Sequence, residues 1–259
     1  MDLNEVKNVG IGAAYASAEI LNRHFGKLTH IDKKGPKDLV TDADVESQEQ
    51  IIKTIRARYP DHCIMAEESG FHNEASAECQ WIIDPLDGTT NFAHKLPIFC
   101  VSIAFAHEAK TKVGIVLNPV NGELFTAVEG EGAELNGRPI SVSAQTELSE
   151  SLLVTGFPYE FQSKIQSVMN RFQKCLSAAR GIRRLGSAAL DLCFVACGRF
   201  EAFWEENLNP WDTAAGALIA EAAGGRVTDF SGNPYTIDKN EILATNGHIH
   251  NAVSSLLEA

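Results

Sequence analysis

The apolar positions of the first 25 residues fall on one stripe. Leu3, Val6, Val9, Ala13, Ala16, Ile20 and Leu21 recur at helical spacing, which predicts an amphipathic helix that stops near Gly26. The segment KKGPKDLVT is rich in breakers and predicts extended chain. Thr41 followed by Asp44 resembles a capping box, opening a helix through Ile51, Ile52 and Ile55 to about Arg58. The period then changes. HCIMAEES and QWIIDP are short apolar runs that predict buried strands, the first ending in Glu67 and Glu68. FCVSIAFAHE, KVGIVLNP and GELFTAVEG alternate or run apolar between Gly, Asn and Pro turns, which predicts consecutive sheet strands, and GAELNGRPISVS continues the meander.

From about Ser151 the pattern resets. SLLVTGF predicts a short strand, and a helix is expected near residues 162 to 177. GSAALDLCFVACG predicts an Ala-rich buried helix, FEAFWE a strand, WDTAAGALIAEAAGG a long helix, and GGRVTDFSG a turn and strand. No tandem repeat, low-complexity tract or linker interrupts the chain. Its 259 residues suffice for one large core or two intimately packed halves. The reading is an α+β domain over residues 1–259, with helices and sheets layered and a subdomain seam near 145–151.

Composition changes this picture little. Hydrophobic residues make up 44% and charged residues 22%, as in an ordinary globular protein. The net charge of -12 argues against a general nucleic-acid binder, so no direct nucleic-acid binding is expected. Six cysteines without a CxxC pair read as buried or semi-buried free thiols of a reducing compartment. No signal peptide and no apolar run near the roughly 18 residues of a membrane span are visible. The expectation is a cytoplasmic protein with no membrane contact.

The candidate chemistry lies in WIIDPLDGTTNF, residues 81–92, where an apolar run ends in two aspartates. Carboxylates held close repel, and burying them is costly unless a positive group pairs with them. Pro85 has no N–H and disfavours helix before it, so Asp84 is expected at the end of its strand. Asp87 and Gly88 then occupy a turn, and a short helix beginning beyond them would point the N–H groups of Gly88, Thr89 and Thr90 outward. A helix N-terminus of that kind suits phosphate. Phosphate and carboxylates are compatible only if divalent cations lie between them, and Mg2+ prefers oxygen ligands and substrate phosphate. The alternative for a bare Asp-Gly pair is a hairpin turn, but the whole D-P-x-D-G-T-T stretch is far more specific. Glu67 closes an apolar run, Asp212 reads as the N-cap of the last long helix with Gly224 and Gly225 ending it, and Asp44 as half of a capping box.

WIIDPLDGTTNF, together with AEES, DLVTDAD and PWDTAAGALIAEAAGG, resembles the inositol monophosphatase family of magnesium-dependent, lithium-sensitive sugar phosphatases. The resemblance covers nearly the whole chain and is closest to bacterial members. It implies a layered α/β/α/β/α fold of two closely packed halves, a homodimer, and two or three Mg2+ per site. It further implies that Glu67, Asp84 and the carbonyl of Leu86 hold one ion, and Asp84, Asp87 and Asp212 a second. A third, weaker ion would lean on Glu67 and waters. Thr89, hydrogen-bonded toward Asp44, would orient and help deprotonate the attacking water, with Glu67 also in a catalytic role. The N–H groups of Gly88 and Thr89 would cradle phosphate. Gly186, Ser187, Ala188 and Glu205 would contact the sugar, Asp87 and Asp212 sharing that task. Some relatives place threonine where this chain has Ser187, which bears on the ranking among polyols.

The implied reaction is hydrolysis of a small polyol phosphate monoester, myo-inositol 1-phosphate first, by in-line attack of water without a phosphoenzyme. Fructose-1,6-bisphosphatase, nucleotide 3'-phosphatase and histidinol-phosphatase activities stay open as alternatives on the same fold. So does a regulatory binding protein with a vestigial site, although every expected site acid is present. Arg180, Arg183 and Arg184 read as solvated or as an interface, Lys33 as solvated, and His248 and His250 as surface residues. Trp81, Trp204 and Trp211 read as packing beside the acids.

Overall fold

The computed structural model describes residues 1–27, 31–33, 39–72, 78–158 and 165–258. In chain order these form α1 (Leu3–His24), β1 (Ile31–Lys33), β2 (Leu39–Thr41), α2 (Asp42–Arg58), β3 (Cys63–Ala66), β4 (Gly70–His72), β5 (Cys79–Asp87) and α3 (Thr89–Ala93). The meander follows as β6 (Cys100–His107), β7 (Lys110–Asn118), β8 (Glu123–Val128), β9 (Gly132–Leu135) and β10 (Arg138–Ile140). After a 3-10 turn at Leu148–Glu150 come β11 (Leu152–Thr155), α4 (Ile165–Ala178), β12 (Gly181–Arg183), α5 (Ala188–Ala196), β13 (Ala202–Glu206), α6 (Pro210–Ala222), β14 (Arg226–Thr228), β15 (Glu241–Thr245) and α7 (His250–Leu257).

Two main sheets alternate with three helix layers. The larger has the order β10-β9-β8-β7-β6-β5-β3-β4, and the smaller β12-β11-β13-β15-β14. Period-two alternation sorts the larger sheet's side chains. Trp81, Ile83, Val101, Ile103, Phe105, Val113, Ile115 and Leu117 face a core shared with α1 and α2. Ile82, Ala104, Ala106, Val116, Phe125 and Ala127 face the core shared with α5 and α6. That second face is mostly small, so Ala-rich α6 sits close to it: a Cβ on Gly114 would lie 2.7 Å from the Ala215 carbonyl oxygen. The smaller sheet covers the other side of α5 and α6 through Phe203, Ile242 and Ala244. Its outer face, with Leu153, Ala202, Trp204 and Leu243, packs on Cys175 of α4 and on Val253 and Leu257 of α7. The layers therefore run α/β/α/β/α, the expected class. Buried between two sheets, α5 is apolar all round except for the buried Asp191.

The helix boundaries follow local chemistry. Thr41 and Asp44 close a capping box at the start of α2, as the sequence predicts. At α6 the expectation needs correction: Asn209 is the N-cap, Pro210 takes the first helical position, and Asp212 is the third residue of a capping box, not the cap. The helix ends at Ala222, and Gly224 follows with φ of 90°. β5 also differs from expectation. It does not end at Asp84 but continues to Asp87 through a register shift against β6. Pro85 cannot donate to the ladder, so one extra residue bulges out between the two aspartates and re-aims both. Short strands β1, β4, β12 and β15 and helix α7 have no counterpart in the sequence reading.

Candidate active site

Three layers bring their ends to one place. β5 delivers Asp84 and Asp87, the chain leaving β3 delivers Glu67, α6 delivers Asp212 and β13 delivers Glu205. Glu67, Asp84, Leu86, Asp87, Gly88, Thr89, Gly186, Ser187, Ala188, Glu205 and Asp212 all line one cavity of about 150 Å³. Asp44 stands behind that wall, fully buried, and reaches it through Thr89. Every site residue expected from the sequence is thus at the cavity or in contact with a residue that is.

Each of the three aspartates is held by one oxygen. The Leu86 N–H donates to Asp84 Oδ1 at 2.9 Å. The Asn209 N–H donates to Asp212 Oδ2 at 2.7 Å, the far half of its capping box. Asp87 Oδ2 accepts from Ser187 Oγ at 2.7 Å and from the Ala189 N–H at 2.8 Å, with Cys100 Sγ at 3.7 Å. Ser187 is the N-cap of α5, so the start of that helix holds Asp87 in place. Glu67 is placed by the bond from its N–H to the Ile83 carbonyl, 3.2 Å.

The electrostatics of this ring are unfavourable for four anions. Burial first, and then the charges of Glu67, Asp87 and Asp212, push the Asp84 carboxyl well above the usual range. Asp212 is raised well above its ordinary value by burial and then by Asp87. Burial also raises Asp87, opposed by its bonds from Ser187 and Ala189. Among the described residues, no three His, Cys, Asp or Glu side chains are drawn together closely enough to form a metal shell outright; the acids ring the cavity instead. The donor set nevertheless fits a hard divalent cation in kind: all oxygen, with mutual repulsion that a cation would relieve.

Gly88 joins the acids to α3. Its φ is 100°, and an added Cβ would sit 2.9 Å from the Ile98 carbonyl oxygen, so only glycine fits. The Thr89 hydroxyl lies 3.2 Å from Asp44 Oδ1 and 3.1 Å from the Leu86 carbonyl, and its one proton is shared between them. Asp44 Oδ2 in turn accepts from the Thr41 N–H at 2.8 Å and from Thr41 Oγ1. Burial lifts the Asp44 carboxyl to about 7 against those bonds. Glu205, half-buried, is pushed up to about 8 by burial of its carboxyl, with Arg184 pulling it back down and Asp87 pushing it up.

Several residues of the site were not legible beforehand. Arg183 and Arg184 are both exposed, but Arg184 also lines the cavity, while Arg180 pairs with Glu150, so the arginine cluster divides. The Asn91 amide donates to the carbonyls of Ile98 at 2.7 Å and Leu185 at 2.8 Å, tying α3 to the chain before Gly186. Gly156 lines the wall, and Asp191 is buried on α5 with Oδ1 lacking a hydrogen-bond partner. An Asp inside an otherwise apolar helix was the available signal for Asp191. The histidine reading needs one correction. His248 is exposed, but His250 is 1% exposed, wedged between Thr228 and Thr245. Trp81 and Trp204 are buried packing as expected, while Trp211 reaches the cavity. All six cysteines are free and at least partly buried. The Lys33 side chain and residues 162–164 of the expected fourth helix lie outside what the structure describes.

Comparison with known proteins agrees with this geometry. The chain matches the inositol monophosphatase family over residues 2–259. It is 46% identical to an inositol-1-monophosphatase of Synechocystis over 94% of this chain and 85% of that protein. It is 41% identical to the Nus factor SuhB of Pseudomonas aeruginosa over 97% of this chain and 95% of that protein. A solved inositol monophosphatase from Anabaena superposes with a TM-score of 0.91, at 41% identity, covering 99% of this chain and 96% of that one. Sequence, fold and the acid-lined cavity therefore place this chain in the inositol monophosphatase family.

Proposed function

We propose that the chain hydrolyses a small polyol phosphate monoester, myo-inositol 1-phosphate first among them, with two or three Mg2+ at the carboxylate ring. The family is one of metal-dependent phosphatases that generally use Mg2+. One observation carries the reading: Glu67, Asp84, Asp87 and Asp212 ring a single cavity that also contains the start of α3. Glu67, Asp84, Leu86, Asp87 and Asp212 would hold the ions, which when bound supply Lewis-acid activation of water and neutralise phosphate charge. The chain's own part is positional. The N–H groups of Gly88 and Thr89 open α3 toward the cavity and receive phosphate oxygens. Thr89, its proton directed to Asp44 or the Leu86 carbonyl, turns a lone pair toward the cavity, accepts a hydrogen bond from the attacking water, and passes its own proton to the Asp44 carboxylate as it takes the water's. Asp44, held by Thr41, keeps Thr89 in that orientation. Glu205 accepts hydrogen bonds from the leaving group's hydroxyls, with the Gly186–Ala188 segment alongside.

The same site on a homodimer, acting in the cytoplasm and sensitive to lithium, completes the proposal. A binding role beside catalysis is the second reading, favoured by the Nus factor name of the Pseudomonas aeruginosa relative. The test is phosphate release from inositol 1-phosphate, glycerol 2-phosphate, fructose 1,6-bisphosphate, adenosine 3',5'-bisphosphate and histidinol phosphate, with Mg2+ titrated and EDTA as control. Mg2+-dependent release led by inositol 1-phosphate is the expected result. A bisphosphate or histidinol phosphate in the lead moves the specificity, and no release from any of them refutes the catalytic reading.

A further inference from the structure

Glu205 has an unusual neighbour. β11 and β13 run parallel with Leu153 opposite Ala202, Val154 opposite Phe203 and Thr155 opposite Trp204. The next step brings Gly156 beside Glu205, and the Thr155 hydroxyl fastens the two strands there by donating to the Trp204 carbonyl at 2.8 Å. The Glu205 carboxylate lies directly across the Gly156 α-carbon. A Cβ added to Gly156 would stand 2.0 Å from Glu205 Oε2 and 2.2 Å from both Cδ and Oε1. Among the described residues, the three atoms nearest that position all belong to Glu205. Gly156 is not held at positive φ, so its backbone asks for no glycine. Among the described residues, the space occupied by the carboxylate is the structural demand at this position.

We propose that Gly156 is a positioning and specificity-determining residue, its absent side chain being the slot that seats the Glu205 carboxylate against the cavity wall. This rests on the reading of Glu205 as the acceptor of the polyol's hydroxyls. Three further groups act on the carboxylate: Arg184 at the cavity wall attracts it, and Asp87 and the buried Asp191 carboxyl on α5 repel it. The slot, the attraction and the repulsion together define one seat. A methyl group at residue 156 fills that seat. The carboxylate is the free end of a flexible side chain, so it swings away at little cost to the fold and loses its register with the hydroxyls.

The experiment compares Gly156→Ala, Glu205→Ala and the double variant on inositol 1-phosphate and on 4-nitrophenyl phosphate, whose leaving group carries no ring hydroxyls. Melting temperatures are recorded alongside. Gly156→Ala is expected to raise KM for inositol 1-phosphate by about 10-fold, the worth of a hydrogen bond lost at a buried carboxyl group, with a far smaller change in kcat. The preference for inositol 1-phosphate over 4-nitrophenyl phosphate should fall by the same factor. In the Glu205→Ala background the Gly156 substitution should add nothing, because its effect runs through Glu205. An unchanged KM in folded Gly156→Ala, an equal loss on both substrates, or a full loss persisting without Glu205 would each overturn the inference. If Glu205→Ala itself leaves the preference unchanged, the reading of Glu205 falls and takes this one with it. If Glu205→Ala shifts the preference and Gly156→Ala does not, only the role of Gly156 fails.

Discussion

His250 opens α7 in a fully buried position, and its protonation should govern the acid limb of stability. Thr228 Oγ1 donates to the Asp229 carbonyl at 2.6 Å, so toward the ring it can only accept, and Nε2 carries the proton across that 3.0 Å bond. Thr245 Oγ1 accepts from the Gly247 N–H at 3.0 Å, which leaves its own proton for Nδ1 at 2.9 Å. Both ring nitrogens are satisfied by the neutral form, and a second proton would meet a donor. Burial, with Arg226 nearby, accordingly pulls His250 down to about 4 from an ordinary 6.5. The folded state binds this proton less readily than the unfolded state does. Stability from this site is therefore complete above about pH 6.5 and is lost as pH falls from there toward 4. Between pH 8 and pH 5 the loss comes to about 2 kcal/mol at 1.36 kcal/mol per pH unit. For a chain of this size that corresponds to about 4–8 °C in melting temperature. Thermal melts of wild type and His250→Gln at the two pH values isolate the effect, because glutamine can hydrogen-bond but does not titrate. The wild type should lose that much more than the variant on acidification. Parallel acid shifts in the two proteins would refute both the tautomer and the depressed pKa.

Other expectations concern the cavity. Asp87→Asn should lower kcat by about two to three orders of magnitude, comparable to removing a preorganised electrostatic group, while the melting temperature stays near wild type; near-normal turnover would remove Asp87 from the metal set. Gly88→Ala should abolish activity before it unfolds the chain, since the added Cβ meets the Ile98 carbonyl and a φ of 100° strains any other residue by about 1–3 kcal/mol; kinetics and melts on one sample decide it. Chelation with EDTA should stop phosphate release, and returned Mg2+ should restore it and raise the melting temperature, because a cation relieves the repulsion around Asp84; a melting point indifferent to Mg2+ would contradict that electrostatic picture. Trp81→Ala should cost about 3–5 kcal/mol, as Trp81 is wholly buried against Phe105, and urea denaturation would measure it.

What could be read from the chain alone was what local physics determines. The stripe on α1, the capping box at Thr41 and Asp44, and the meander from β6 to β10 depend on periodicity and on neighbours within a few residues. The D-P-x-D-G-T-T stretch belongs to the same class, because proline, glycine and two carboxylates constrain each other over seven positions. Its extent was misjudged only where a partner strand intervened: pairing with β6 carried β5 past Pro85 to Asp87. Elements that exist by virtue of partners were invisible. β1, β4 and β12 have three residues each, too few for a period to register, and exist because a neighbouring strand completes their hydrogen bonds. Tertiary structure also decided roles among similar residues. Arg184 reaches the cavity while Arg183 does not, and His250 is sealed between two threonines while His248 is exposed. Gly156 becomes chemically consequential only because a parallel register brings Glu205 across it. Sequence carries a residue's chemistry and its near neighbours; which distant groups share a low-dielectric space, and so shift one another's charge, is settled only when the layers close.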